Sequence, residues 1–245
     1  MPKVAGVDII MTIETGISGT QLQRLLTWLS PSFPVGAFSY SHGLEAAVED
    51  GLVSDRETLA AWIRTIIATG SGRIDAALFR AAWTAIDAED PDLLDCALER
   101  GDALQATSEL GLETTAQGAA FLSAAARHWP HIAIDHVCDR VEALDRRVVY
   151  PVAVGSVAAA HDVALLPALE AYLHAFAANI VSAGVRLIPL GQSDGLHVLA
   201  TLEPEIVAAA RVALDRAPED IGSAAFMVDW ASSIHETQYT RLFRS

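Results

Sequence analysis

The sequence predicts an all-α fold, a single-domain bundle of roughly ten packed helices. Alanine, the residue with the highest helix propensity, accounts for 44 of the 245 residues. Apolar residues recur at helical spacing over most of the chain, as at Leu22, Leu25, Leu26 and Leu29. No pair of alternating apolar runs predicts a β-hairpin, and no fixed-period repeat is visible. Because 52% of the residues are hydrophobic, the chain can bury a large core, which excludes intrinsic disorder.

The N-terminal part is predicted to hold a leader, a helix and a turn-rich connection. Residues 1–19 lack periodicity and are expected to form a flexible leader, with one helical domain over residues 20–245. The first helix is expected to end at Ser30, because a residue before proline disfavours helical angles. Residues 31–40 combine prolines, glycines and aromatic residues, as loops do. Ser41 is expected to cap a short helix that ends at Val48.

The rest of the chain is predicted to be helical up to about residue 216. Ser54 and Glu57 match a capping box, and Gly70 to Gly72 are expected to end the helix that follows. Residues 148–150 are β-like but too short for a sheet. Residues 218–245 show no single type of secondary-structure pattern. The further predicted helices span residues 74–88, 92–106, 109–128, 133–145, 151–161, 167–188, 192–202 and 204–216.

Charge and composition exclude several kinds of protein. The net charge of −15 would repel a phosphate backbone, so a nucleic-acid-binding role is not expected. The single lysine, Lys3, lies outside any glycine-rich loop, so the chain has no P-loop. Cys96 and Cys138 match neither a disulfide framework nor a zinc motif. The apolar segment 164–190 contains Glu170 and is interpreted as a core helix, and the protein is expected to be cytoplasmic.

The segment SPSFPVGAFSYSHGLE, residues 30–45, is the first candidate binding region. From the residues alone, the favoured interpretation is a structured connection between helices. The alternative is a binding surface, with Phe33, Phe38 and Tyr40 exposed on a rigid loop, where aromatic residues anchor interfaces. His42 and Glu45 would be neighbours on a helix and could resemble an acid–base pair. No nucleophile motif accompanies them, so catalysis is weakly supported.

The histidines between residues 128 and 136 form a second candidate, for a metal site. His128, His131, His136 and Cys138 are donor residues close together in sequence. Pro130 interrupts the helix between the first two histidines, so their relative orientation is undefined. Surface or core histidines are the favoured interpretation.

Arg186 and the C-terminus carry positive charge in an acidic chain. Arg186 lies in an apolar helix and needs a partner, either an internal salt bridge or carbonyl cap, or an interface. The tail, from about residue 235, ends with Leu242 and Phe243 between Arg241 and Arg244. These residues predict a segment that docks into a groove on a partner protein.

Three segments together resemble the family of the urease accessory protein UreF. They are SPSFPVGAFSYSHGLE near the start, SAGVRLIPLGQSDG in the last third, and HETQYTRLFRS at the end. Their order and spacing also agree with the family, and the resemblance spans about residues 20–245. Members of the family are all-α, dimeric and not enzymes.

The resemblance implies a role in the maturation of urease. UreF-like proteins bind the accessory protein UreD, also called UreH, and the pair recruits the GTP-hydrolysing protein UreG. The assembly inserts nickel into the urease apoprotein. The chain is therefore expected to be a nickel-insertion chaperone or scaffold and a homodimer. It is expected to bind no cofactor tightly, with nickel at most in transit. The alternative is a GTPase-activating regulator of UreG that acts through an arginine.

The resemblance also implies a set of partner-binding residues, whereas no catalytic or metal-binding residue is expected. The set comprises Phe33, Pro34, Gly36, Phe38, Ser39, Tyr40, His42, Gly43, Glu45, Arg186, Gln192, Tyr239, Arg241, Leu242, Phe243 and Arg244.

Overall fold

The computed structural model describes residues 16–217 and 219–245. Within these residues, eleven α-helices and one 3₁₀ turn at Ala37–Ser39 are present, and no strand is found. This confirms the predicted all-α fold. The helices are α1 (Gly19–Trp28), α2 (Leu44–Glu49), α3 (Arg56–Thr69), α4 (Ser71–Asp87), α5 (Pro91–Ala103), α6 (Ser108–His128), α7 (Ile132–Ala143), α8 (Tyr150–Ala160), α9 (Leu165–Leu187), α10 (Gln192–Asp215) and α11 (Phe226–His235).

Helix α8 lies at the centre of the bundle and is surrounded by α4, α6, α7 and α9. Its residues from Pro151 to Ala158 are all buried. A Cβ atom at Gly155 would lie 2.5 Å from the backbone oxygen of Phe79 in α4. Only glycine therefore allows these two helices to approach so closely.

Two predicted helix starts were wrong. Helix α3 begins with Asp55 as its N-cap, because the carboxylate of Asp55 accepts a hydrogen bond from the backbone of Thr58. Ser54 and Glu57 do not form the predicted capping box. Helix α2 begins at Leu44 after Gly43, which has φ = 75°. Ser41 is therefore not the N-cap residue, but its hydroxyl accepts the backbone N–H of Glu45 in the first turn of α2 at 3.3 Å, so part of its predicted capping role is confirmed.

Two helices near the C-terminus also differ from the prediction. Residues 192–202 and 204–216 were expected to form two helices, but α10 runs without a break from Gln192 to Asp215, through Pro204. Proline removes one backbone donor, and the helix tolerates this because α10 packs along α3 and α9. Helix α11 was not predicted, since residues 218–245 were interpreted as mixed. It packs against α2 and α6.

Helix α9 is long and apolar enough to cross a membrane by length and composition. In this fold it packs against α10, α4, α8 and α3, and 39% of its apolar stretch is buried. Core helices of soluble proteins pass the same length and composition test. Residues 1–15 of the expected leader lie outside the described residues.

Candidate functional site

Residues 239–245, which we call the tail from here on, lie against residues 31–45, which we call the aromatic loop. The backbone N–H of Ser41 donates to the main-chain oxygen of Ser245 at 2.8 Å, and the Ser41 hydroxyl donates to the same oxygen. The backbone N–H of Arg244 donates to the carbonyl of Ser39 at 2.9 Å. Two segments about 200 residues apart in sequence therefore form one surface.

Glu45 holds the backbone of the tail. Its two carboxylate oxygens accept the backbone N–H groups of Leu242 and Phe243 at 2.7 and 2.8 Å. Glu45 is buried and lies in the first turn of α2, where the helix dipole favours a negative charge. A buried carboxylate that accepts backbone donors makes strong, charge-assisted hydrogen bonds. The conformation of the tail is therefore fixed by a side chain of the aromatic loop.

A second carboxylate, that of Glu109 in α6, also binds the tail, through the side chain of Arg241. Arg241 donates to Glu109 at 2.6 Å. Both nitrogens of the buried His235 ring face carboxylates: Nδ1 lies 2.6 Å from Glu109 and Nε2 lies 3.2 Å from Glu45. His235 thus joins α11 to the two acidic residues that hold the tail.

Phe243 is the apolar anchor of the tail and is only 3% exposed. The guanidinium of Arg186 lies over its ring at 4.3 Å from the centroid. The same guanidinium donates to the carbonyl of Phe38 at 2.8 Å, and Arg186 Nε donates to the carbonyl of Ser182 at 3.1 Å. Partial burial lowers the pKa of Arg186. Arg186 therefore connects the tail, the aromatic loop and α9, and part of its predicted carbonyl-capping role is confirmed.

The aromatic loop exposes fewer aromatic rings than the sequence predicts. Phe33 is buried against Phe121 and Trp129, and Tyr40 is 2% exposed. The binding-surface interpretation, in which both rings are exposed, was wrong for these two residues, because Phe33 belongs to the apolar core beneath the loop and Tyr40 is buried as well. Phe38 is the exception, at 69% exposed.

Tyr40 lies under the last arginine of the chain. The guanidinium of Arg244 lies 5.6 Å from the centroid of the Tyr40 ring, within the range of a cation–π contact. Burial raises the pKa of Tyr40, while the nearby charge of Arg244 opposes that shift. Arg244 itself is exposed, so its charge faces solvent.

His42 and Glu45 do not form the predicted helical pair. His42 precedes α2, has φ = 59°, and is followed by Gly43, where a Cβ would lie 3.0 Å from the backbone nitrogen of Ser232. This turn directs His42 away from Glu45. The His42 Nε2 atom lies 2.5 Å from the hydroxyl of Ser71, and Nδ1 lies 3.4 Å from Glu113.

The remaining predicted residues lie at the edges of this surface. Pro34 is exposed and Gly36 has φ = 75° in the turn before Phe38. Gln192, the first residue of α10, lines a groove of about 290 Å³ that Arg186 also lines. Tyr239 is fully exposed. The structure thus brings the loop and the tail together, with Gln192 at the periphery.

The histidines near residue 131 do not converge on a metal site. The ring of His131 accepts the backbone N–H of Ala133 and caps α7. Within residues 16–217 and 219–245, no group of three His, Cys, Asp or Glu side chains is arranged to hold a metal ion. Cys96 and Cys138 are free and partly buried.

Sequence reasoning did not select the acidic residues of α6 that hold the tail. Glu109, Glu113 and Gln117 recur every fourth residue and are buried on one face of an otherwise small and apolar helix. That spacing is the signal that could have found them, since a buried charge needs a partner. Their partners are far away in sequence, so the spacing alone could not identify them.

Comparisons with known protein sequences show which family the chain belongs to. The sequence model of the UreF family matches residues 53–203. The chain belongs to the UreF family. A urease accessory protein UreF of Granulibacter bethesdensis is 48% identical over 97% of this chain and 99% of its own length. Family members are urease accessory proteins of a non-catalytic, chaperone type.

Two further relatives show the same relationship. The urease accessory protein UreF of Bradyrhizobium diazoefficiens is 50% identical over 91% of both chains. That of Rhodopseudomonas palustris strain BisB5 is 48% identical over 91% of both chains. The resemblance based on three short motifs therefore extends over nearly the whole chain.

Proposed function

We propose that the chain is a nickel-insertion scaffold that binds the accessory proteins UreD and UreG through the surface formed by the tail and the aromatic loop. The observation that supports this most is the fixed conformation of the tail. Buried groups hold its backbone, while Leu242, at 65% exposed, and Tyr239 project into solvent. A rigid segment with exposed apolar side chains loses little entropy on binding.

The aromatic loop and α11 also expose large apolar side chains. Phe38 is exposed on the aromatic loop, and Phe226, Met227 and Trp230 are exposed on α11, the helix that His235 joins to the acidic residues holding the tail. Exposed aromatic residues are typical of binding hot spots. The proposal assigns UreD, also called UreH, to these exposed apolar residues. It also includes UreG and the urease apoprotein as members of the same assembly. The chain itself is proposed to be a homodimer in the cytoplasm. Nickel enters only as cargo.

The proposal is tested by Leu242→Asp, which places a charge at the most exposed apolar position of the tail after Tyr239. The matched control is Leu93→Asp, at an exposed leucine of α5. Both variants are co-expressed with UreD and UreG homologues. We expect Leu242→Asp to lose co-purification while Leu93→Asp retains it. Equal yields of the partners with both variants would contradict the assignment of this surface.

A GTPase-activating role is a second candidate, and one observation favours it. Arg186 and Arg241 are engaged within the chain, whereas the guanidinium of Arg244 is exposed and rests on Tyr40. An arginine finger accelerates GTP hydrolysis by about a thousandfold or more. GTP turnover by a UreG homologue, with wild type and with Arg244→Ala, tests it. An unchanged rate on adding the wild type removes this candidate.

A further inference from the structure

His42 lines a small cavity that contains several acidic side chains and lies behind the seat of the tail, by which we mean the buried residues Glu45, Glu109 and Glu113 that hold the tail. The cavity has a volume of about 40 Å³ and is bounded by α4, α6, α9 and α11. His42 is only 6% exposed, and the ring of Phe176 packs against its own at 5.2 Å. The Nε2 atom contacts Ser71, whereas Nδ1 lies within ion-pair distance of Glu113 but makes no hydrogen bond of good geometry among the described residues.

Three carboxyl groups face His42, each from a different helix. They belong to Glu113 of α6, Asp75 of α4 and Asp229 of α11. Asp75 accepts a hydrogen bond from the Tyr172 hydroxyl at 2.7 Å. The residues that line the cavity include no lysine or arginine, so protonated His42 is the one cation available to these acids within the described lining.

The pKa of His42 is raised by the excess of acidic groups in the cavity, and the pKa values of the aspartates there are raised by burial. Burial alone would lower the pKa of His42, but Glu113, Asp75 and Asp229 together outweigh it and raise that pKa above its usual value. Burial raises the pKa of Asp75 to about 6 and also raises that of Asp229. The buried phenols of Tyr172 and Tyr150 have raised pKa values as well and stay neutral.

Glu113 joins this cavity to the tail. Its Oε2 atom lies 3.4 Å from Nδ1 of His42 and accepts the hydroxyl of Ser245 at 2.7 Å. Ser245 is fully buried. One carboxylate oxygen is therefore shared between a titratable ring and the last residue of the tail.

We propose that His42 is a pH-responsive latch for the tail. When His42 is protonated, its charge holds Glu113 in the position that accepts Ser245. When His42 loses its proton, Glu113 faces the carboxyl groups of Asp75 and Asp229 without a cation, and like charges in a buried site repel strongly. Glu113 then turns away, and Ser245 and the residues before it loosen.

The latch acts on the isolated chain, so it holds whether or not the tail contacts UreD. Its consequence for partner binding rests on the proposed function. If both hold, tail-dependent binding weakens as the pH rises past the pKa of His42. If only the latch holds, the tail loosens with pH while partner binding stays constant.

Hydrogen exchange of the backbone amides of Leu242 and Phe243 tests the latch directly. Protection, corrected for the intrinsic pH dependence of exchange, is compared between pH 6 and pH 8.5 in wild type and in His42→Gln, which keeps polar groups but cannot titrate. We expect wild-type protection to fall by about fivefold or more, the low end of typical coupling between sites. His42→Gln should show lower protection already at pH 6 and a smaller fall, because it lacks the cation at both pH values and only the carboxyl groups still titrate, and the exposed-histidine control His136→Gln should behave as wild type.

A reciprocal measurement covers the case in which His42→Gln does not fold. Linkage requires that, if the proton favours the seated tail, the seated tail favours the proton. In Ser245→Ala the His42 ring should therefore titrate at lower pH than in wild type, as followed by NMR of labelled histidine. An unchanged His42 titration in Ser245→Ala, or equal loss of protection in wild type and His42→Gln, would overturn the proposal.

Discussion

The contact between α4 and α8 and the seat of the tail are both buried, but they are held by different interactions. The first relies on small and apolar side chains, with Gly155 directly against the backbone of Phe79. The second relies on the carboxylates of Glu45 and Glu109, which are saturated by backbone and side-chain donors. Shape therefore specifies one region, whereas completed hydrogen bonding and charge balance specify the other.

The difference extends to how each region responds to change. Apolar packing has no ionisable group, so its stability is insensitive to pH and sensitive to volume. A buried polar network is sensitive to the loss of any single partner, because the remaining groups stay buried without one. Variants in the two regions should therefore differ in both the size and the pH dependence of their effects.

The largest effect is expected for Gly155→Ala. The added methyl group would lie 2.5 Å from the backbone oxygen of Phe79, and a backbone cannot move aside as a flexible side chain can. We expect a loss of about 3 kcal/mol or more in the free energy of unfolding, measured by urea denaturation. The control is Gly111→Ala in α6, where the nearest atom, Cβ of Gln105, is 3.4 Å away. It should be neutral or stabilising by about 0.5–1 kcal/mol; equal losses would contradict the shape argument.

Glu45→Ala should have the next largest effect. It leaves the backbone N–H groups of Leu242 and Phe243 without their acceptor and removes one partner of His235. We expect a loss of about 2–4 kcal/mol in the free energy of unfolding, with loss of hydrogen-exchange protection in the tail. Glu49→Ala, at an exposed position of the same helix, should change the stability by less than about 0.5 kcal/mol. A fully protected tail in Glu45→Ala would show that the carboxylate does not hold it.

The same contrast explains what the sequence could predict. Helical periodicity located helices such as α6 and α9 to within about two residues of their ends, because it follows from the local requirement to bury one face. It failed at Pro204, where tertiary packing carries α10 through a residue that usually ends a helix, and at α11, whose ten residues were hidden among polar and glycine-containing segments.

The candidate site could be predicted only in part. The aromatic loop and the tail were identified by their composition and by resemblance, and they do meet. Their shared partners in α6 were not predicted, because contacts such as that between Glu109 and Arg241, 132 residues apart, have no local signature. The interpretation in which Phe33 and Tyr40 are exposed was wrong for a similar reason. Their burial depends on the distant residues that the loop covers, and these have no local signature.

Asp75→Asn should change the pH dependence of stability more than its magnitude. The folded pKa of Asp75 is about 6, above its unfolded value of 3.8, so the folded state binds more protons between these values. Stability contributed by this group is therefore present at low pH and lost as the pH rises through about 6. Asp75→Asn should remove a slope of at most about 1.4 kcal/mol per pH unit, measured by urea denaturation from pH 4 to 8.

The apolar region supplies the control for this pH experiment. Val157 of α8 is fully buried, and Val157→Ala should lower the free energy of unfolding by the same amount at every pH. A pH-dependent effect of Val157→Ala, or an Asp75→Asn profile parallel to that of the wild type, would mean that the two regions do not differ in the way described.

Arg244→Ala should have the smallest effect on stability. Its side chain contributes only an exposed contact with the Tyr40 ring at 5.6 Å, worth about 0.5–1 kcal/mol or less, while its backbone bond to Ser39 remains. Because the charge of Arg244 opposes the rise in the Tyr40 pKa, removing it should raise that pKa further, as NMR titration of labelled tyrosine would detect. Arg127→Ala, at an exposed arginine of α6, should leave the Tyr40 titration unchanged. If Arg244→Ala instead unfolds the tail, the carboxylates of Glu45 and Glu109 are not sufficient to hold it, and the charge at the end of the chain is structural rather than available to a partner.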